Sequence, residues 1–252
     1  AAVQEDIANL MAATKGLTYE DIFVPAIAAS YITATYSNEY YRTHQEYEQA
    51  VSNAMREEYK AIVDAGFILQ IDDPRLVSYY MMNPDLSVAD CRKWAADRVE
   101  VINDSIRGIP PEKVRFHTCY SSDVGPRIHE MELKDIVDIM LKINAGAYSF
   151  EAANPRHEHE YHVFERVKLP AGKIVIPGVI SHTTNLVEHP ELIAERIVRF
   201  AKLVGRENVI AGADCGFAAS ALRFNDTHPS VAWHKFAAWA EGARLATREL
   251  WR

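Results

Sequence analysis

The chain is predicted to fold as a barrel of parallel strands wrapped in helices, α/β in class and of the (β/α)8 TIM type. Three observations predict it. Short apolar segments alternate with long amphipathic ones throughout the 252 residues, as expected where each strand returns parallel to the last through a helix. No Gly-rich dinucleotide fingerprint follows any strand candidate, which disfavours an open doubly wound sheet. Polar residues gather at the ends of five different strand candidates, where a barrel builds its mouth.

In chain order, 3–14 reads as a helix with no strand before it. Strand candidates follow at 21–27, 67–72, 114–119, 147–151, 173–179 and 208–213. They are rich in Ile, Val and Phe and are expected to be apolar on both faces, as strands covered by helices are. Helices are expected over 45–65, 87–107, 133–144, 190–204 and 230–251, with Gly66, Gly108 and Gly205 at their C-terminal stops. In the last helix Val231, Phe236, Trp239, Ala243 and Ala246 suit packing in an outer ring. Six strand units are two short of closure. The expectation is a single, N-terminally incomplete barrel domain over 1–252 that lacks its first two βα units: either two further units precede Ala1, or 3–14 is the remnant of a helix whose strand is lost.

Composition narrows the function. With 48% hydrophobic residues the chain can bury a large core. Its 27 Lys and Arg against 35 Asp and Glu leave a formal charge of −8, which repels nucleic acid and anionic lipid. No uncharged apolar run approaches the roughly 18 residues of a membrane span. Glu5 and Asp6 stand where a signal peptide would be basic. A cytoplasmic protein acting on small molecules is expected, with no nucleic acid and no membrane. Cys91, Cys119 and Cys215 are an odd number, far apart in sequence, and make no disulfide framework.

His117-Thr118-Cys119, Glu151 and Cys215 carry the strongest chemical signal. Residues i and i+2 of a strand point the same way, so an imidazole and a thiolate in His-x-Cys spacing can face one point. Glu151 and Cys215, each at the end of another strand, could complete a tetrahedral N, S, S, O set of the kind zinc accepts, and sulfur donors favour Zn2+ over magnesium or calcium. The alternative is that both cysteines are small buried hydrophobes and His117 a satisfied core histidine.

Five motifs in order, Gln70-Ile71-Asp72-Asp73-Pro74, His117-Thr118-Cys119-Tyr120-Ser121, Ser149-Phe150-Glu151, Gly178-Val179-Ile180-Ser181-His182 and Asp214-Cys215-Gly216, resemble the catalytic barrel of cobalamin-independent methionine synthase. The similarity is closer still to its single-barrel relatives, which include the epoxyalkane:coenzyme M transferase branch. The resemblance implies a UROD/methionine-synthase-like barrel, with His117, Cys119, Glu151 and Cys215 as zinc ligands. It implies that Asp72 holds the amino group of a homocysteine-like substrate and that His182, shifted by one residue in spacing, protonates the leaving group. Asp73 stands where the family's synthases have glutamate, so both acids are candidate substrate contacts, with Glu151 a third. The implied partners are a small thiol and an alkyl donor, folate-like or an epoxide, with a homo-oligomer or a companion N-terminal fragment as macromolecular partners. The relatives also carry a first strand containing Gly-Ser that this sequence lacks. A non-catalytic zinc-binding subunit is the competing reading.

Coordination to zinc removes a thiol's proton, so the metal would activate a sulfur nucleophile. Glu151 would be the ligand most easily displaced by substrate sulfur. Segment 151–160 reads as a loop in which Asn154 or Arg156 orients Glu151. Arg127 and His129 could contact an anionic substrate such as a sulfonate or a glutamate tail, with surface charge the favoured reading, and Tyr36, Tyr40 and Tyr41 read as a pocket wall or an interface.

Overall fold

The computed structural model describes residues 2–120, 126–218 and 227–252. Among them six strands form one parallel sheet in sequence order: β1 (Phe23–Ile27), β2 (Ile68–Asp72), β3 (Val114–His117), β4 (Ala147–Phe150), β5 (Ile174–Ile180) and β6 (Gly212–Ala213). Each strand pairs with the next in parallel, and the register carries Asp72 beside His117 and His117 beside Ser149. The sheet has two edges, β1 and β6, and so forms an open part of a barrel.

Eight helices connect and flank the strands: α1 (Ala2–Thr14), α2 (Ala29–Thr35), α3 (His44–Asp64), α4 (Arg75–Met82), α5 (Val88–Ser105), α6 (Val137–Met140), α7 (Pro190–Val204) and α8 (Pro229–Leu250). Local chemistry fixes their ends. Thr43 caps α3 by accepting from the Glu46 amide, and Ser87 with Asp90 forms a reciprocal capping box at the start of α5. Pro190 opens α7, its missing N–H costing nothing there, and Gly205 closes it at φ +94°, a conformation that a Cβ disfavours.

The expected strands and long helices are all present, with four differences. The 133–144 segment splits into a 3-10 turn (Leu133–Asp135) and the short α6, where Arg92 grips both Asp138 carboxylate oxygens at 2.8 Å and the Asp135 carbonyl. Part of the expected 151–160 loop is a 3-10 helix, Glu158–Glu165. The strands are also not apolar on both faces. Leu69, Ile71, Phe116, Tyr148 and Phe150 point outward into the helical layer and are 2% exposed or less. The alternate residues Gln70, Asp72, Arg115, His117 and Ser149 point inward and line a cavity of about 450 Å3. Phe236 and Trp239 of α8, expected in the outer ring, line that cavity too.

Candidate metal centre

Every residue of the predicted site sits at or just past a strand end. Asp72 is the last residue of β2, His117 the last of β3, and Glu151 follows β4 directly. Cys119, His182 and Cys215 lie two residues beyond β3, β5 and β6. Backbone bonds continue past the strands and hold these ends in register: the Asp73 amide donates to the His117 carbonyl at 3.0 Å, Thr118 to Ser149 at 3.1 Å, and Asp214 to Ile180 at 3.0 Å.

The Sγ atoms of Cys119 and Cys215, 96 residues apart in sequence, are 3.1 Å from each other. A ligand atom of His117 completes a group whose members all lie within 4.8 Å of one another. His117 Nδ1 is engaged by Ser149 Oγ at 3.1 Å, which orients the ring and leaves Nε2 as the nitrogen open to a metal. The contact between the two sulfurs drives the Cys215 thiol down, against burial and with help from His117, and pushes Cys119 up. Burial acts to lower His117, yet its contact with the Cys215 sulfur prevails and raises it. Two soft sulfur donors and one oriented imidazole make a donor set that fits zinc.

The other predicted residues divide. Asp72 lines the cavity beside His117 and Cys215, accepts from Gln70 Nε2 at 2.7 Å, and is raised by burial. Asp73 does not share that cavity. It is fully buried, accepts from Ser30 Oγ and from the Leu76 amide at 3.2 Å, and thereby anchors the start of α4. Burial pushes it up to about 6. His182 is buried, and its carbonyl accepts from Thr227 Oγ1 at 3.2 Å. Ser121 of the His-x-Cys motif lies outside the described residues.

Glu151 stands apart from the His117, Cys119 and Cys215 group. Its Oε1 accepts from the Tyr120 amide at 2.7 Å, and its Oε2 from Arg127 Nη2 at 2.9 Å and Asn154 Nδ2 at 2.5 Å. Asn154 therefore orients Glu151 as expected, whereas Arg156 turns to Glu130 and the Ile128 carbonyl. Sequence reasoning missed Arg127. Only the i, i+3 pair Arg127-x-x-Glu130 hints that this is a buried ion pair and not surface charge.

Behind Glu151 runs a chain of buried polar groups. Glu130 accepts from Arg127 Nε at 2.6 Å and lies 3.2 Å from His157 Nε2, while His157 Nδ1 lies 2.8 Å from Glu160. The His157 ring stacks on Tyr120 at 3.9 Å. Burial lowers His157, but the bonds to Glu130 and Glu160 outweigh it and raise its pKa to about 9. A histidine raised above 6.5 contributes stability that is complete below that pH and vanishes as the pH climbs through 9. The shift corresponds to about 3 kcal/mol. Between pH 6.5 and pH 9.5 the urea midpoint of the wild type should therefore drop relative to that of His157→Gln; equal slopes in both would disprove the assignment.

Comparison with known proteins adds the following. The family described as cobalamin-independent synthase, catalytic domain, matches residues 24–232. A methionine synthase of Saccharolobus solfataricus is 26% identical over 242 residues, 94% of this chain and 62% of its own length. One from Thermococcus kodakarensis is 28% identical over 240 residues, 93% of this chain and 60% of its own. The chain thus spans about three fifths of the curated relatives it matches. A solved B12-independent methionine synthase from Shewanella sp. W3-18-1, in complex with selenomethionine, superposes with a TM-score of 0.72 at 20% identity, over 99% of this chain and 67% of that one. No helix among the described residues is long and apolar enough to cross a membrane.

Proposed function

Taking as premise that the chain belongs to the family of cobalamin-independent synthase catalytic domains, we propose that it carries the zinc-binding, thiol-methylating half-site of a methionine-synthase-like enzyme. The observation that carries this reading is the 3.1 Å approach of the Cys119 and Cys215 sulfurs beside His117, with His117 and Cys215 on the wall of a cavity that also presents Asp72. Zinc held by His117, Cys119 and Cys215, with Glu151 as a fourth ligand, would supply the positive charge that strips the proton from a substrate thiol at neutral pH. The chain's own residues do the rest. Ser149 fixes the His117 ring, and Asp72 receives the substrate's ammonium group, which directs the sulfur toward the methyl donor. His182 hands a proton to the leaving nitrogen of a folate-like donor, since an amine leaves far better protonated.

The free edges of β1 and β6 favour one addition. In this reading two further βα units, in the same protein or on a companion chain, pair with those edges and close the barrel over the cavity.

Zinc-loaded protein should consume homocysteine in the presence of a methylated folate. Consumption with an epoxide instead would move the reading to the epoxide-opening branch, and consumption with neither would overturn catalysis. Asp72→Ala should raise KM for homocysteine by roughly 10–100-fold, the worth of one charge-assisted hydrogen bond. Its zinc content should stay at the wild-type level. An unchanged KM would mean that Asp72 does not read the ammonium group.

A further inference from the structure

Glu151 leaves β4 on the same side as Ser149, two residues earlier, and Ser149 faces His117. Its side chain is fully buried, yet its carboxylate is drawn to three donors: the Tyr120 amide, directly after Cys119, together with Arg127 and Asn154. One of the three carries a full positive charge, and a charge-assisted bond is about twice as strong as a neutral one. Arg127 and a metal therefore compete for the same anion.

We propose that Arg127 is a positioning residue that receives the Glu151 carboxylate when it leaves the metal, so that Glu151 has two stations, one on zinc and one on Arg127, Asn154 and the Tyr120 amide. The inference rests on the zinc reading above. What makes the second station permanent is Glu130. It is 1% exposed at its side chain and binds Arg127 Nε at 2.6 Å, while Arg156 and His157 hold its other oxygen. A buried guanidinium stripped of its counter-charge would be costly. With Glu130 in place, Arg127 stays compensated whether Glu151 is present or absent, and it cannot follow Glu151 toward the metal. Both arrangements are then tolerable, as a ligand that must step aside for a substrate sulfur requires. Groups behind metal ligands commonly change metal affinity 10–100-fold when altered.

The experiment is a zinc titration against a chromophoric chelator for wild type, Arg127→Gln, Glu151→Gln and the double variant, using zinc alone as the probe. Arg127→Gln should bind zinc about tenfold more tightly, because Glu151 loses its charged alternative. A merely structural role for Arg127 would weaken binding. The tightening should vanish in the Glu151→Gln background, and Arg127→Lys should restore most of the wild-type affinity. Asn154→Ala, which leaves the ion pairs intact, should tighten binding in the same sense by a smaller factor, so the test survives if Arg127→Gln folds poorly. Weaker or unchanged zinc binding in Arg127→Gln and Asn154→Ala, or tightening that persists without Glu151, would overturn the proposal. Failure of the zinc reading is told apart by Cys215→Ser, which would then bind zinc as the wild type does.

Discussion

Cys215→Ser is expected to purify with almost no zinc and to alkylate no thiol, and His117→Ala to do the same. Each removes one donor from a group of three that spans the ends of β3 and β6, and no other His, Cys or acid among the described residues joins that group. Serine is nearly isosteric with cysteine, but its hydroxyl stays protonated at neutral pH, so the soft anionic donor is lost while the volume is kept. Cys91, 2% exposed on α5 and remote from the group, supplies the control. Cys91→Ala should keep full zinc content and full alkylation. Elemental analysis decides the matter, since equal zinc in wild type and Cys215→Ser would remove the metal centre and every step built on it.

Periodicity made most of this fold legible. The bounds of α7 follow from a proline at its first position and a glycine just past its last, and the strands from runs of Ile, Val and Phe. Two helices escaped, α2 of seven residues and α4 of eight, because they are too short for an amphipathic repeat and grow from the ends of strands. The α4 start depends on Asp73, whose place in an Asp-Asp-Pro motif invites a functional reading. Only the tertiary structure shows it turned away from Asp72 to the Leu76 amide and Ser30. The grouping of His117, Cys119 and Cys215 was legible because these residues sit at or just past strand ends and parallel strands bring their ends together. The bond from Arg127 to Glu151 was not, because Arg127 belongs to a connecting segment whose path no local pattern sets.

The same logic locates the most sensitive backbone position of the site. Asp214 is fully buried, and its Oδ1 accepts from the amides of Ala152 and Ala153, both at 2.8 Å, tying the end of β6 to the segment after β4. Burial, then the charge of Glu151, pushes this carboxyl up to about 7. It reaches those amides only because Gly178 of β5 has no side chain. A Cβ there would lie 1.9 Å from Asp214 Oδ1 and 2.8 Å from its Cα. Gly178→Ala must therefore expel the carboxylate or spread β5 from β6. The first leaves two buried amides without acceptors at about 1–3 kcal/mol each. The second is an overpacked core, also about 1–3 kcal/mol. The cheaper of the two, a loss of about 2–3 kcal/mol, should lower Tm by roughly 4–12 °C in a chain of this length. Because Cys215 is the next residue, zinc content should fall with it. Gly216→Ala is the matched control: it flanks Cys215 on the other side, and a Cβ there meets nothing within 4 Å. Its Tm should stay within about 2 °C of wild type, as surface-like substitutions do. If the two alanine variants melt together, the contact between Asp214 and Gly178 does not hold Cys215 in place.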